Sequence, residues 1–154
     1  ISEANISKLN KNLILLYTGI QRTAHRIADT YVGKLKKEKH REIIQILEFV
    51  KEADKVIKNR NFDDFGRLLH ESWLTKKKLS NKMTNNSLDE IYNLAIKRGA
   101  LGGKILGAGG GGFFLLYVPH ERQNNFLKHF KKFVHIPFKF EKSGSKVLFN
   151  QKNF

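Results

Sequence analysis

Residues Gly107, Ala108, Gly109, Gly110, Gly111 and Gly112 follow one another and carry five of the chain's twelve glycines. Apolar stretches flank them, Lys104-Ile105-Leu106 before and residues 113–118 after. Glycine loses more backbone freedom on folding than any other residue, so such a run needs a physical reason. A hairpin turn needs only one or two glycines. Five in six positions favour a backbone that comes close to a bound group, its N–H groups forming a nest for anionic oxygens. The spacing matches G-x-G-x-x-G, but a dinucleotide-binding fold needs a helix after the loop, and residues 113–118 have strand composition. A Walker A loop needs Lys-Ser/Thr after its last glycine, and here Phe113-Phe114 follows. A protein-kinase loop does lie between strands, but the Val-Ala-Ile-Lys, His-Arg-Asp and Asp-Phe-Gly signatures are absent. What survives is a glycine-rich connection between two strands.

One cation is placed to serve such a nest. Arg22 comes just after the strand end at Tyr17-Thr18-Gly19, where a guanidinium reaches a phosphate; an arginine merely opening a helix reads equally well. Other chemistry-bearing residues assemble nothing. His70-Glu71-Ser72-Trp73-Leu74 begins like a zincin motif but has Leu where the second His belongs. The other five histidines show no metal spacing, so no metal site is expected. The pairs Asp63/Asp64 and Asp89/Glu90 read as first-turn helix residues, favoured there by the macrodipole. Lys76-Lys77-Lys78 reads as a solvated helix end. There is no Cys, which excludes disulfides, zinc-thiolate sites and thiol catalysis.

The elements that must hold the loop follow from periodicity. Residues 12–19 read as a buried strand closed by Gly19. A helical pattern follows over 21–35, with Ile20, Ala24, Ile27, Ala28 and Tyr31 on one face and Gly33 as a plausible break. Ile43, Ile46, Leu47, Val50 and Ile57 make an amphipathic stripe over 38–58. Phe62, Phe65, Leu68, Leu69 and Trp73 mark the next helix, with Asn61 as its N-cap. Ser87-Leu88-Asp89-Glu90 fits a capping box that opens a helix ending near Arg98-Gly99. Strands at 104–106 and 113–118 enclose the loop. A helix from Pro119 carries Phe126, Leu127, Phe130 and Phe133. Ile136, Phe138 and Phe140 alternate as a half-buried strand with Pro137 at an edge, and 146–149 reads as a further strand or ordered tail. The fold class is α+β, an antiparallel sheet of about four strands with helices packed on it.

Length and charge bound the rest. The 154 residues make one domain, 1–154, large enough to bury a normal core. The opening residues Ile1 to Asn12 read like the middle of a protein, so a domain of a longer chain is expected. The formal net charge of +15 invites polyanions such as nucleic acid, an anionic membrane or phosphorylated metabolites. Basic residues are nevertheless spread along the chain, as on a solvated lysine-rich surface. No signal peptide is visible, and the apolar run 113–118 falls far short of the ~20 residues of a membrane helix. A cytoplasmic protein is expected.

The run Leu101 to Pro119, with its Gly-Ala-Gly-Gly-Gly-Gly core leading into a strand, resembles the third motif of the GHMP kinases. The stretches beginning Leu15-Leu16-Tyr17-Thr18-Gly19, Leu68-Leu69-His70-Glu71-Ser72-Trp73 and Leu88-Asp89-Glu90-Ile91-Tyr92 extend the likeness over about 13–140. They resemble the sugar-kinase branch that contains the D-glycero-D-manno-heptose 7-phosphate kinases. The resemblance implies the C-terminal domain of an ATP-dependent enzyme that phosphorylates a sugar hydroxyl, with ATP and Mg2+ as cofactors and a sugar phosphate as substrate. In the heptose branch the acceptor is an anomeric hydroxyl, and the product feeds nucleotide-activated heptose for surface polysaccharide. It further implies that residues 107–112 line the phosphate-transfer cleft, with Lys104 and Arg22 adding charge, Lys104 the less because strand alternation directs it toward solvent. The family's Gly-Ser-Ser phosphate loop and catalytic residues belong to an N-terminal domain, and this chain has no Gly-Ser-Ser. The domain alone is therefore expected to be inactive. The competing readings are a basic nucleic-acid-binding module, disfavoured because the aromatics sit at core spacing, and a non-catalytic domain of GHMP ancestry.

Overall fold

The chain folds as expected for its class: helices on one antiparallel sheet. The computed structural model describes residues 1–35, 37–141, 143–145 and 147. Strands β1 (Leu13–Tyr17), β2 (Gly102–Ile105), β3 (Phe113–Tyr117) and β4 (Val134–Ile136) lie in the order β2-β3-β1-β4. Leu13 pairs with Tyr117 and Tyr17 with Phe113, while Ile105 opposes Phe114. This register brings the connection between β2 and β3 to the Tyr17 end of β1. Six helices occur among the described residues: α1 (Glu3–Lys11), α2 (Ala24–Ala28), α3 (His40–Lys58), α4 (Phe62–Lys77), α5 (Asn86–Lys97) and α6 (His120–His129).

The core forms where the strands and the apolar helix faces meet. Leu16, Ile105, Phe114 and Leu116 of the sheet are fully buried with Trp73, Leu88, Phe126 and Phe130 of the helices. Trp73 meets Phe114 edge-on at 6.0 Å, and Phe126 stacks on Phe130 at 4.4 Å. Helix α4 approaches β2 more closely than side chains would permit. A Cβ on Gly102 would overlap the Gly66 carbonyl oxygen and lie 2.7 Å from the His70 nitrogen. With no side chain between them, α4 lies against β2, and its last turn reaches the glycine loop.

Several boundaries differ from the sequence expectation. Residues 20–23 are not helical, because this segment is tied to the loop: the Gly112 N–H donates to the Ile20 carbonyl (2.9 Å). Helix α2 therefore covers only five residues, with a short 3-10 turn at Val32–Lys34 beyond it. Helix α1 was not foreseen; the Ser2 side chain caps it by accepting from the Asn5 amide (3.3 Å), and among its residues only Leu9 is buried. The cap of α5 is Asn85, which accepts from the Leu88 amide (3.0 Å), and Ser87 lies inside the first turn. Asn61 is the N-cap of α4 by position, but its side chain makes no capping bond and donates to the Asp64 carboxylate instead. The last strand is β4 at Val134–Ile136 rather than 136–141. It is an edge strand, and the ladder stops at Pro137, which has no N–H to donate. Phe138 and Phe140 then meet edge-on at 5.8 Å beside α1. Lys146, Leu148 and Phe149, of the expected strand at 146–149, lie outside the described residues.

Candidate functional site

All five loop glycines have positive φ, from 75° at Gly107 and Gly110 to 154° at Gly111. Side chains are excluded by space as well as by conformation. A Cβ on Gly109 would collide with the sulfur of the fully buried Met83, and one on Gly111 would lie 2.6 Å from the Ile20 carbonyl oxygen. The loop is pinned from its C-terminal half. The Gly110 amide donates to the Met83 carbonyl (2.7 Å), and the Thr18 amide and hydroxyl both donate to the Gly112 carbonyl (2.9 and 2.8 Å). By contrast, the amides of Gly107, Ala108, Gly109 and Gly111 donate to no acceptor among the described residues. Four uncommitted N–H groups on a fixed turn are the ingredients of an anion nest.

Arg22 lies along this loop. A Cβ on Gly107 would be 3.6 Å from its Nη2, and one on Gly111 would be 3.2 Å from its Cγ. Its Nε is buried without a hydrogen-bond acceptor. Leaving a buried donor unpaired costs about 1–3 kcal/mol, and more for a charged group. The guanidinium borders a groove of about 390 Å³ that Tyr17, Leu106, Gly112 and Phe113 also line. Lys104 is half-buried beside Phe49, Phe65 and Ser72, not turned fully to solvent, and burial lowers its pKa.

A third cation was misread in the sequence. Lys76 lies in the last turn of α4 and donates from Nζ to the Gly107 carbonyl. Burial first, then the charges of Lys104 and Arg22, bring its pKa down to about 8. Spacing gives only a partial signal: Lys76 and Lys77 follow the buried Trp73 by three and four residues, so both lie on its side of the helix. Lys77 turns elsewhere and pairs with Asp89 at 3.1 Å, while Lys78 is exposed as expected. Among the described residues no carboxylate pairs with Arg22, Lys76 or Lys104.

The remaining candidates have structural partners. Asp63 accepts from the Tyr117 hydroxyl (2.9 Å), and Asp89 accepts from both Lys77 and Thr84. The Nδ1 of His70 lies 2.8 Å from the Tyr92 hydroxyl, whose pKa burial raises. Among the described residues no group of three or more His, Asp or Glu could hold a metal ion. None of their helices is long and apolar enough to cross a membrane.

The fold as a whole is matched in known proteins. Residues 49–135 fit the family described as GHMP kinases C terminal, which is more than half of the chain. The chain belongs to the GHMP kinases. Members of this family are phosphotransferases, and this chain corresponds to their C-terminal domain. It is 36% identical over 146 residues to the D-glycero-alpha-D-manno-heptose 7-phosphate kinase of Campylobacter jejuni, covering 91% of this chain and 42% of that one. A solved putative sugar kinase from Campylobacter jejuni is 31% identical with a TM-score of 0.62, covering 94% of this chain and 40% of that one. The mevalonate kinase of L. major shares the fold at a TM-score of 0.67 and 17% identity, over 78% of this chain and 37% of that one. The chain thus spans about two fifths of the length of each of these three kinases. The nucleic-acid-binding alternative finds no support.

Proposed function

We propose that this GHMP domain works as the C-terminal part of an ATP-dependent sugar kinase that phosphorylates the anomeric hydroxyl of D-glycero-D-manno-heptose 7-phosphate. One observation carries the reading. An unpaired guanidinium and a half-buried ammonium stand beside a glycine loop with four uncommitted amides. These are donors without acceptors, and phosphoryl oxygens are acceptors without donors. The acceptor sugar is taken from the name of the Campylobacter jejuni relative.

In this reading residues 107–112 line the phosphate-transfer cleft. Phosphoryl transfer rests on positioning and charge neutralisation, which backbone amides and cations supply without covalent chemistry. Arg22 offers a planar fork of donors that holds phosphoryl oxygens in a fixed direction. Lys104 adds positive charge from the half-buried side of β2. A groove of about 670 Å³, lined by Ile20, Asn81, Thr84, Asn85 and Ser87, borders the loop, and its amides and hydroxyls suit a polyhydroxylated acceptor. ATP supplies the transferred phosphoryl group. For Mg2+ the described residues offer no carboxylate cluster, so phosphate oxygens and an N-terminal domain would hold it. That N-terminal kinase domain, which would also carry the catalytic base, is the partner this domain needs. The cytoplasm, where ATP is plentiful, is the proposed site of action, and the product would feed nucleotide-activated heptose for surface polysaccharide.

The test is ATP consumption by the full-length protein with heptose 7-phosphate, galactose, fucose or mevalonate. The fastest turnover is expected with heptose 7-phosphate. Preference for another of these acceptors would overturn the substrate assignment. No turnover with any of the four would overturn the kinase reading and favour a non-catalytic domain.

A further inference from the structure

We propose that Lys76 is the third arm of a phosphoryl-binding clamp, formed with Arg22 and Lys104 at the glycine loop. The inference rests on the phosphate-cleft reading above and adds to it a residue and a ligand class, a phosphoryl dianion. Three elements deliver the cations: the segment after β1, the last turn of α4, and β2. An ammonium has three donors, and Lys76 places one on the Gly107 carbonyl, leaving two for an oxyanion. The neighbouring residue supplies the contrast. Lys77 is neutralised by Asp89, whereas Lys76 and Arg22 meet at Gly107, and no carboxylate pairs with Lys76, Arg22 or Lys104 among the described residues. Like charges held this close destabilise the free protein, and a bound dianion removes that cost. A phosphoryl group matches the arrangement better than a carboxylate, because three terminal oxygens can engage three separate cations.

The phosphoryl group can belong to the nucleotide or to the sugar-phosphate acceptor, and kinetics separate the two. The full-length protein is titrated with inorganic pyrophosphate by calorimetry, as wild type, Lys76→Met, Lys76→Arg and Lys77→Met. Steady-state KM values for ATP and for heptose 7-phosphate are measured on the same four proteins. Lys76→Met should weaken pyrophosphate binding about tenfold or more, the range of a lost charge-assisted hydrogen bond. Lys76→Arg should restore most of the affinity, and Lys77→Met should leave it unchanged. A KM rise confined to ATP assigns the clamp to the nucleotide, and one confined to the sugar phosphate assigns it to the acceptor. The pH profile adds a readout that a merely structural role would not move. Lys76 is flanked by Arg22 and Lys104, and its ammonium deprotonates near pH 8 in the free protein. Wild-type affinity should therefore fall more steeply between pH 7.5 and 9 than that of Lys76→Arg. Unchanged pyrophosphate binding in Lys76→Met overturns the clamp. So does a loss that Lys76→Arg fails to restore while circular dichroism shows both variants folded. If no sugar is phosphorylated the kinase reading fails, yet the pyrophosphate titration still decides the clamp.

Discussion

Cations on the outer faces of α3 and α4 and cations at the glycine loop have opposite surroundings. On the helices, Lys55 pairs with Glu52 (3.7 Å), Lys58 with Asp54 (2.6 Å), and Arg67 with Asp64. These partners sit three or four residues apart on one helix and are largely exposed. At the loop, Arg22, Lys76 and Lys104 come from three different elements, sit partly buried, and pair with no carboxylate among the described residues. The net charge of +15 thus has two parts that composition cannot separate. One is a solvated surface with local counter-charges. The other is held in place by tertiary structure, at a cost in stability that a bound anion would offset.

The comparison breaks most visibly at the loop backbone. Gly110 has φ 75°, and a Cβ there would lie 3.0 Å from Ile27 Cδ1 and 3.2 Å from the Lys82 carbonyl oxygen. Gly110→Val should cut turnover of the full-length enzyme about a hundredfold or more, the scale for losing preorganised donors. Its stability should fall by only about 1–3 kcal/mol, the usual cost of one strained residue. Wild-type turnover in a folded Gly110→Val variant would remove the loop from the cleft.

A smaller effect concerns pH. The pKa of Lys76 is about 8 in the folded protein and 10.5 in the unfolded chain. Between these values the unfolded chain binds more protons, so stability should rise with pH. Chemical denaturation from pH 8 to 9, where tyrosines of the unfolded chain remain largely protonated, should show this rise. The slope should shrink in Lys76→Met; an equal slope in both would mean that folding does not lower the pKa of this ammonium.

The smallest effect belongs to the paired surface. Lys58→Met removes an exposed pair worth roughly 0.2–1 kcal/mol and should leave turnover unaltered. A large kinetic loss there would show that distant surface charge, not the local cluster, serves the ligand.

Much of this was legible in the residues. The strand–glycine–strand order fixed the loop between β2 and β3, and the apolar periodicity located α3, α4, α5 and α6. Less legible were features set by tertiary contacts. Residues 20–23 have helical composition but are drawn extended by the Gly112–Ile20 hydrogen bond. Asn85 and Ser87 are both good caps, and only the chain path chose Asn85. The alternation through Phe140 treats Pro137 as an edge residue within the strand, whereas the ladder ends before it. Lys76 was hidden in a run of three lysines, where local pattern cannot say which one an adjacent loop will cover. The Gly66–Gly102 approach of α4 to β2 decides that, and it joins residues 36 apart in sequence.

The most direct test pits one guanidinium against another. Arg22→Met and Arg67→Met each remove a guanidinium, one unpaired at the loop and one paired with Asp64. Measured as kcat/KM of the full-length enzyme with ATP and heptose 7-phosphate, Arg22→Met should lose about tenfold or more, and Arg67→Met should stay near wild type. Equal activity of the two variants would contradict the assignment of the unpaired charge at the glycine loop to phosphoryl binding.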